Sequence, residues 1–177
     1  MAYSSTGFDQ DGINPHGPDG KKDKDGFISV VMGATSADGI HWTKSKYPLL
    51  IYEPEIGQIE TYAGSYKGNF HRPSLMRDKN RWRLWFDYWQ PDNKGMGMGH
   101  AECYGDPMHH DDWRITHDID NALIEAWPNP DVVKVGNMYY SVADPCGYKG
   151  IKNWPGRQIR EAISDDGINW KVFEFIS

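Results

Sequence analysis

Ser36-Ala37-Asp38-Gly39-Ile40-His41-Trp42 and Ser164-Asp165-Asp166-Gly167-Ile168-Asn169-Trp170 are two copies of one pattern, S-x-D-G-I-x-W. Asp-Gly between β-prone flanks is a hairpin signal, because a two-residue type I′ turn needs positive φ at both central positions. The pattern therefore predicts tight hairpin turns at Asp38-Gly39 and Asp166-Gly167. A second pair of segments sets the period. Pro73 to Asp87 (PSLMRDKNRWRLWFD) aligns without gaps to Pro130 to Asp144 (PDVVKVGNMYYSVAD), 57 positions later. Each segment reads as a strand, a polar turn and a second strand. Trp113 and Trp170 are also 57 positions apart. The stretch from Gly97 to Trp113 is a degenerate copy of the hairpin, carrying an insertion, Asp106 to Asp112.

Working outward, the repeat is a four-stranded antiparallel unit with strands a to d. One unit covers 72–117 and the next 129–177. An incomplete unit, 1–50, precedes them. In it, Met1 to Thr6 resembles a second strand such as Met138 to Ala143, the loop 7–26 is polar, Phe27 to Met32 is a third strand, and Trp42 closes the fourth. Four-stranded repeats of this length are β-propeller blades. The expected fold is all-β, a partial β-propeller domain over 1–177 with about two and three-quarter four-stranded blades. Trp42, Trp113 and Trp170 are expected in equivalent, largely buried places. Known propellers start at about four blades, and five blades of this length need about 285 residues. The expectation is a partial propeller, completed by the remaining blades of the same protein or by another subunit.

Composition agrees with an all-β chain. The 177 residues include 19 Gly and 11 Pro, which favours turns over long helices, and 14% aromatics to build a core. The net charge of −6 lacks the basic density that a nucleic-acid backbone requires. No apolar run approaches the roughly 18 residues of a membrane helix, so neither nucleic acid nor membrane is expected as a partner. Residues 1–15 show no signal-peptide pattern; a secreted or periplasmic location stays open. Cys103 and Cys146 match no zinc spacing and read as two unpaired thiols.

With its proline-led first strands, its tyrosine-bearing second strand and its S-x-D-G-I-x-W hairpins, the chain resembles the five-bladed β-propeller glycoside hydrolases, the group containing families 43, 32, 117 and 130. The sialidase Asp box, S-x-D-x-G-x-x-W, has a different Asp-Gly spacing. The resemblance covers nearly the whole chain. It implies hydrolysis of a glycosidic bond in an oligo- or polysaccharide, by carboxyl acid/base catalysis, in a funnel at the propeller axis. It also implies that strand a is innermost, and that the d–a and b–c loops share the face holding the site.

That face would gather 7–26, 51–72, 87–97, 118–129 and 144–157. Tyr62, Trp89, Trp127 and Trp154 suit stacking on pyranose faces. Asp87, Asp144, Glu60 and Glu125 suit holding hydroxyls or moving protons. His71, Arg72 and Asn129 stand just before the strand-a prolines, nearest the axis, and suit substrate binding. Glycoside cleavage needs two carboxyl groups across the bond. Asp87 and Asp144 are repeat-equivalent, and are either a catalytic pair on the funnel wall or loop anchors accepting backbone N–H bonds. Glu125, just ahead of strand a, is the first choice for general acid, against a solvated loop glutamate. His71 and Arg72 form a cationic edge for a carboxylate, a sulfate or sugar hydroxyls, or Arg72 simply pairs with a neighbouring acid. The resemblance implies acidic residues at the strand-a entries; here the entries are His71-Arg72 and Pro128-Asn129. The catalytic base then lies on other blades, or this piece binds the sugar while another carries the chemistry.

Other features read as structural. Gly95-Met-Gly-Met-Gly99 lacks the helix of a phosphate loop. Glu102-Cys103 takes the repeat place of Ser36, on strand c. His109-His110-Asp111-Asp112 lies in the hairpin insertion, expected on the opposite face. No cofactor and no metal site is expected, apart from an open option of structural calcium at Asp19, Asp23 and Asp25. Three functions compete: a glycoside hydrolase, a non-catalytic carbohydrate-binding propeller, and a scaffold for protein partners. The scaffold calls for an acid-poor apolar rim, unlike these loops.

Overall fold

A computed structural model of the chain describes residues 1–7, 28–50, 70–90, 96–143 and 159–173. The described residues form three antiparallel sheets. The first holds β1 (Ala2–Gly7), β2 (Ile28–Thr35) and β3 (Thr43–Lys44). The second holds β4 (Phe70–Asp78), β5 (Arg81–Trp89), β6 (Met96–Cys103) and β7 (Trp113–Ile115). The third holds β8 (Asp131–Val135), β9 (Met138–Ala143), β10 (Arg160–Ser164) and β11 (Lys171–Val172). Strand order follows chain order in each, so every sheet is a meander whose neighbours pair antiparallel. The chain is all-β and forms part of a β-propeller. A short 3-10 turn, His110–Asp112, sits in the insertion before β7.

Alternation along the strands gives each sheet two buried faces wherever a neighbour stands on both sides. In β5, Leu84, Phe86 and Tyr88 pack with Val31, Leu49, Leu50 and Phe70 toward the first sheet. Trp85 turns the other way and packs with Met98, Trp127, Val132, Tyr139 and Ala162 toward the third. The core therefore consists of two layers between consecutive sheets, not one central mass.

The 57-residue period is written into the backbone. Arg72 and Asn129, 57 positions apart, have φ of 43° and 53°. Lys79 and Gly136, in the turns between the first two strands of their sheets, have φ of 56° and 61°.

The S-x-D-G turns are not type I′ hairpins. Only the glycines have positive φ, 76° at Gly39 and 78° at Gly167. Each connection is a wider turn stapled by side chains. Ser36 Oγ accepts from the Asp38 and Gly39 N–H groups, and Asp38 Oδ1 from those of Ile40 and His41. Ser164 and Asp166 repeat this on Asp166, Gly167, Ile168 and Asn169. Short oxygen-bearing side chains compete well for backbone N–H groups, which opens the turn beyond two residues.

The third-sheet turn docks on the second sheet. Arg83 Nη1 donates to the Asp166 carbonyl at 2.7 Å, and Trp85 Nε1 to the Gly167 carbonyl at 2.8 Å. Arg83 is fully buried, with its guanidinium over the Trp85 and Tyr139 rings.

The three repeat tryptophans differ in burial. Trp113 is buried between the first and second sheets, and Trp170 is half-buried between the second and third. Trp42 is 43% exposed. Trp113 and Trp170 face the sheet that precedes their own, and among the described residues no sheet precedes the first.

Candidate functional site

Strand β4 enters its sheet through His71 and Arg72, and β8 is entered through Asn129. Between His71 and Ser74 the β4–β5 register shifts, and the left-handed Arg72 sits at that irregularity. The displaced Arg72 N–H bonds to Ser4 Oγ of the first sheet. The Arg72 side chain reaches across to Asn129, at the entry of the third sheet.

There it meets the end of β5. Arg72 Nε lies 2.9 Å from Asp87 Oδ2, and the Asn129 N–H donates to the same oxygen at 2.8 Å. Arg72 Nη1 donates to Asn129 Oδ1 at 2.7 Å, and Nη2 to Met96 Sδ at 3.1 Å. Arg72, Asp87 and Asn129 thus form a closed triangle joining two sheets. Asp87 is fully buried, while 40% of the Arg72 side chain is exposed. The acid is the support and the guanidinium is the accessible group.

His71 lies behind them. Its Nδ1 is 3.8 Å from Asp87 Oδ1, too far for a hydrogen bond, and both atoms are buried without a hydrogen-bond partner among the described residues. Burial pushes the Asp87 carboxyl up to about 6, against the opposing pull of Arg72 and the Asn129 N–H. Burial, and then the Arg72 charge, hold the His71 imidazole down to about 4.

Of the expected site residues, the structure brings together His71, Arg72, Asp87 and Asn129. Trp127 is elsewhere: it is fully buried in the second core layer, its Nε1 donates to Ser141 Oγ, and its ring carries the Arg160 guanidinium. It offers no free face to a pyranose. Glu125 is exposed in a tight turn ahead of Ala126 (φ 52°), with no hydrogen bond or ion pair among the described residues. Trp89 ends β5, and its side chain lies outside the described residues, as do Asp144, Glu60, Tyr62, Trp154, Cys146, Asp19, Asp23 and Asp25. Cys103 is a free, buried thiol. Glu102 is bound by Arg81 and Tyr104 and lies 3.5 Å from Arg83 Nε, within the second sheet. In the insertion, His110 bonds to the carbonyl of Pro48, which follows β3.

Sequence reasoning missed Ser4 and Met96, which brace Arg72 from separate strands. It also missed Tyr88 and Gln90, at the same end of β5. The Tyr88 hydroxyl and both ends of the Gln90 amide are buried without a hydrogen-bond partner among the described residues. Their only signal in the sequence is a run of polar atoms within an apolar strand.

Neither a family model nor a curated protein sequence matches the chain. Solved structures do. A GH32 beta-fructofuranosidase from Bombyx mori superposes with a TM-score of 0.60 at 16% identity, covering 98% of this chain and 33% of that one. A family 117 glycoside hydrolase from Zobellia galactanivorans gives 0.57 at 15%, covering 84% and 42%. A beta-1,2-mannobiose phosphorylase from Listeria innocua gives 0.53 at 15%, covering 85% and 38%. The fold is that of the propeller glycosidases. The chain spans a third to two-fifths of the length of these structures. In this propeller, the first strands of the second and third blades are β4 and β8, and the Arg72–Asp87–Asn129 triangle ties their entries together.

Proposed function

We propose that this chain acts on carbohydrate, as part of a five-bladed glycoside hydrolase in which its described residues form the substrate-binding wall of the funnel. The observation that carries the reading is the triangle at the strand entries. Two repeat-equivalent residues in left-handed backbone, Arg72 and Asn129, are held by one buried carboxylate, and a single exposed guanidinium is presented. Strained, over-determined backbone of this kind clusters at binding sites. The likeness to propeller glycosidases supports the ligand class as an analogy of fold.

Binding is favoured over chemistry by the state of the carboxylates. Asp87 is sealed and committed to Arg72, so it supports a ligand contact without touching the ligand. A second reading keeps Glu125 as general acid, since it is exposed in the connection that leads into β8. The test is saccharide binding and aryl-glycoside turnover by the full chain, wild type and Glu125→Gln. The expected result is saccharide binding that Glu125→Gln leaves intact. Turnover by the wild type that vanishes in Glu125→Gln would establish the second reading. A wild type that binds no saccharide in a broad panel would end both.

A further inference from the structure

We propose that Arg72 binds an oxyanion carried on a sugar, a uronate carboxylate or a sulfate ester, where it bridges the second sheet to the entry of the third, with buried Asp87 as its counter-charge. This rests on the carbohydrate reading and narrows its substrate class.

A guanidinium carries five N–H groups in a rigid plane. In Arg72, Nε is committed to Asp87, one N–H of Nη1 to Asn129 and one of Nη2 to Met96. One N–H on each terminal nitrogen remains without a partner among the described residues, on a side chain that is 40% exposed. Two donors on one planar fork match two oxygens of a carboxylate or sulfate, a pairing that a neutral hydroxyl fills less well. The Met96 thioether is a weak acceptor, so its N–H passes readily to an oxyanion. The guanidinium is preorganised from three directions, by β5, by β6 and by the entry to β8, which lowers the ordering cost of binding.

The counter-charge decides when the site is cationic. The titratable and charged groups facing Asp87 among the described residues are Arg72 and His71, both from β4. Strand β6 brings Met96 and Met98, which carry no charge, and the Asn129 segment brings an N–H. An ionised Asp87 neutralises Arg72, whereas a protonated one leaves the guanidinium charge unopposed. Burial holds this carboxyl up at about 6, and His71, held near 4, stays neutral through that range. Anion binding therefore strengthens as pH falls through about 6.

The experiment is calorimetric titration of the full chain with galactose, galacturonate and galactose 6-sulfate, at pH about 7.5 and about 5, values that bracket the carboxyl. Acidic sugars are expected to bind about tenfold tighter than galactose, and about tenfold tighter in acid than at neutral pH. Arg72→Gln should erase the preference with unchanged circular dichroism, at a lower melting temperature because buried Asp87 loses its counter-charge. Asp87→Asn should abolish the pH dependence and bind at neutral pH as the wild type does in acid; should it not fold, Arg72→Gln decides. Equal binding of galactose and galacturonate would sink the proposal and leave the carbohydrate reading standing. Free sulfate or acetate binding as tightly as the acidic sugars would reduce the site to a general anion site, against the proposal. Absence of any sugar binding at either pH would overturn the carbohydrate reading and this one with it.

Discussion

At the scale of single residues, His71 and Asp87 oppose one another as pH changes. Asp87 titrates at about 6 in the folded chain against an ordinary 3.8. The native state therefore holds more protons than the unfolded chain between those values, and stability falls as pH rises through this window. His71 titrates at about 4 against an ordinary 6.5. There the unfolded chain holds more protons, so stability rises with pH over nearly the same range. Each effect is worth roughly 3 kcal/mol at about 1.36 kcal/mol per pH unit, and in the wild type they largely cancel. Single variants separate them. Relative to wild type, His71→Gln should lose stability from pH about 4 to about 6, and Asp87→Asn should gain it. Urea midpoints measured across this range decide the matter; difference profiles that stay flat in both variants would refute the opposed titrations.

At the scale of elements, the S-x-D-G turn has two settings. Gly39 has open space where a side chain would go, so Gly39→Ala meets only the left-handed backbone, at about 1–2 kcal/mol. At Gly167 an added carbon would lie 2.8 Å from both Arg83 terminal nitrogens and 2.9 Å from Trp85. Gly167→Ala should therefore cost more, by about 1–3 kcal/mol of overpacking, and should disturb the Arg83 and Trp85 bonds to the turn. Chemical denaturation of the two variants measures the difference; equal losses would mean that the turn does not dock in solution. The motif's recurrence, its period and the β character were all legible in the sequence, because Asp-Gly and strand alternation are local signals. The turn type was not, because the Ser and Asp side chains draw in N–H groups beyond the two central residues. Trp127 was misplaced for a related reason. A tryptophan beside a loop signals stacking surface or core equally well, and only the third sheet, folded against it, decides for core. The triangle was half legible: its members stand at repeat positions and Asn129 is of a residue type that favours left-handed backbone, but the same backbone at Arg72 has no signature in residue type.

At the scale of the whole molecule, the third sheet presents an apolar face. Val133, Val135, Tyr140 and Val142 are each at least 40% exposed, and they alternate with buried Val132, Tyr139 and Ser141 along β8 and β9. Val133 pairs directly with Tyr140 across the strands, so these side chains form one patch. Their counterparts in the second sheet, one period earlier, are Met76, Asp78, Arg83 and Trp85, which the third sheet covers. The first sheet exposes Ile40 (76%) and Trp42 (43%) on its S-x-D-G turn, the element that docks on β5 at the second interface. Both ends of the stack thus carry halves of an interface whose complete form lies within the same chain. Exposed apolar sheet faces of this kind drive association. The 177-residue chain in isolation should therefore self-associate with rising concentration in light scattering. Val133→Glu with Val142→Lys should move it toward monomer without changing its circular dichroism, since both side chains point away from the core. A wild-type chain that stays monomeric, with full hydrogen-exchange protection on β8 and β9, would contradict this and mean that the patch is already covered.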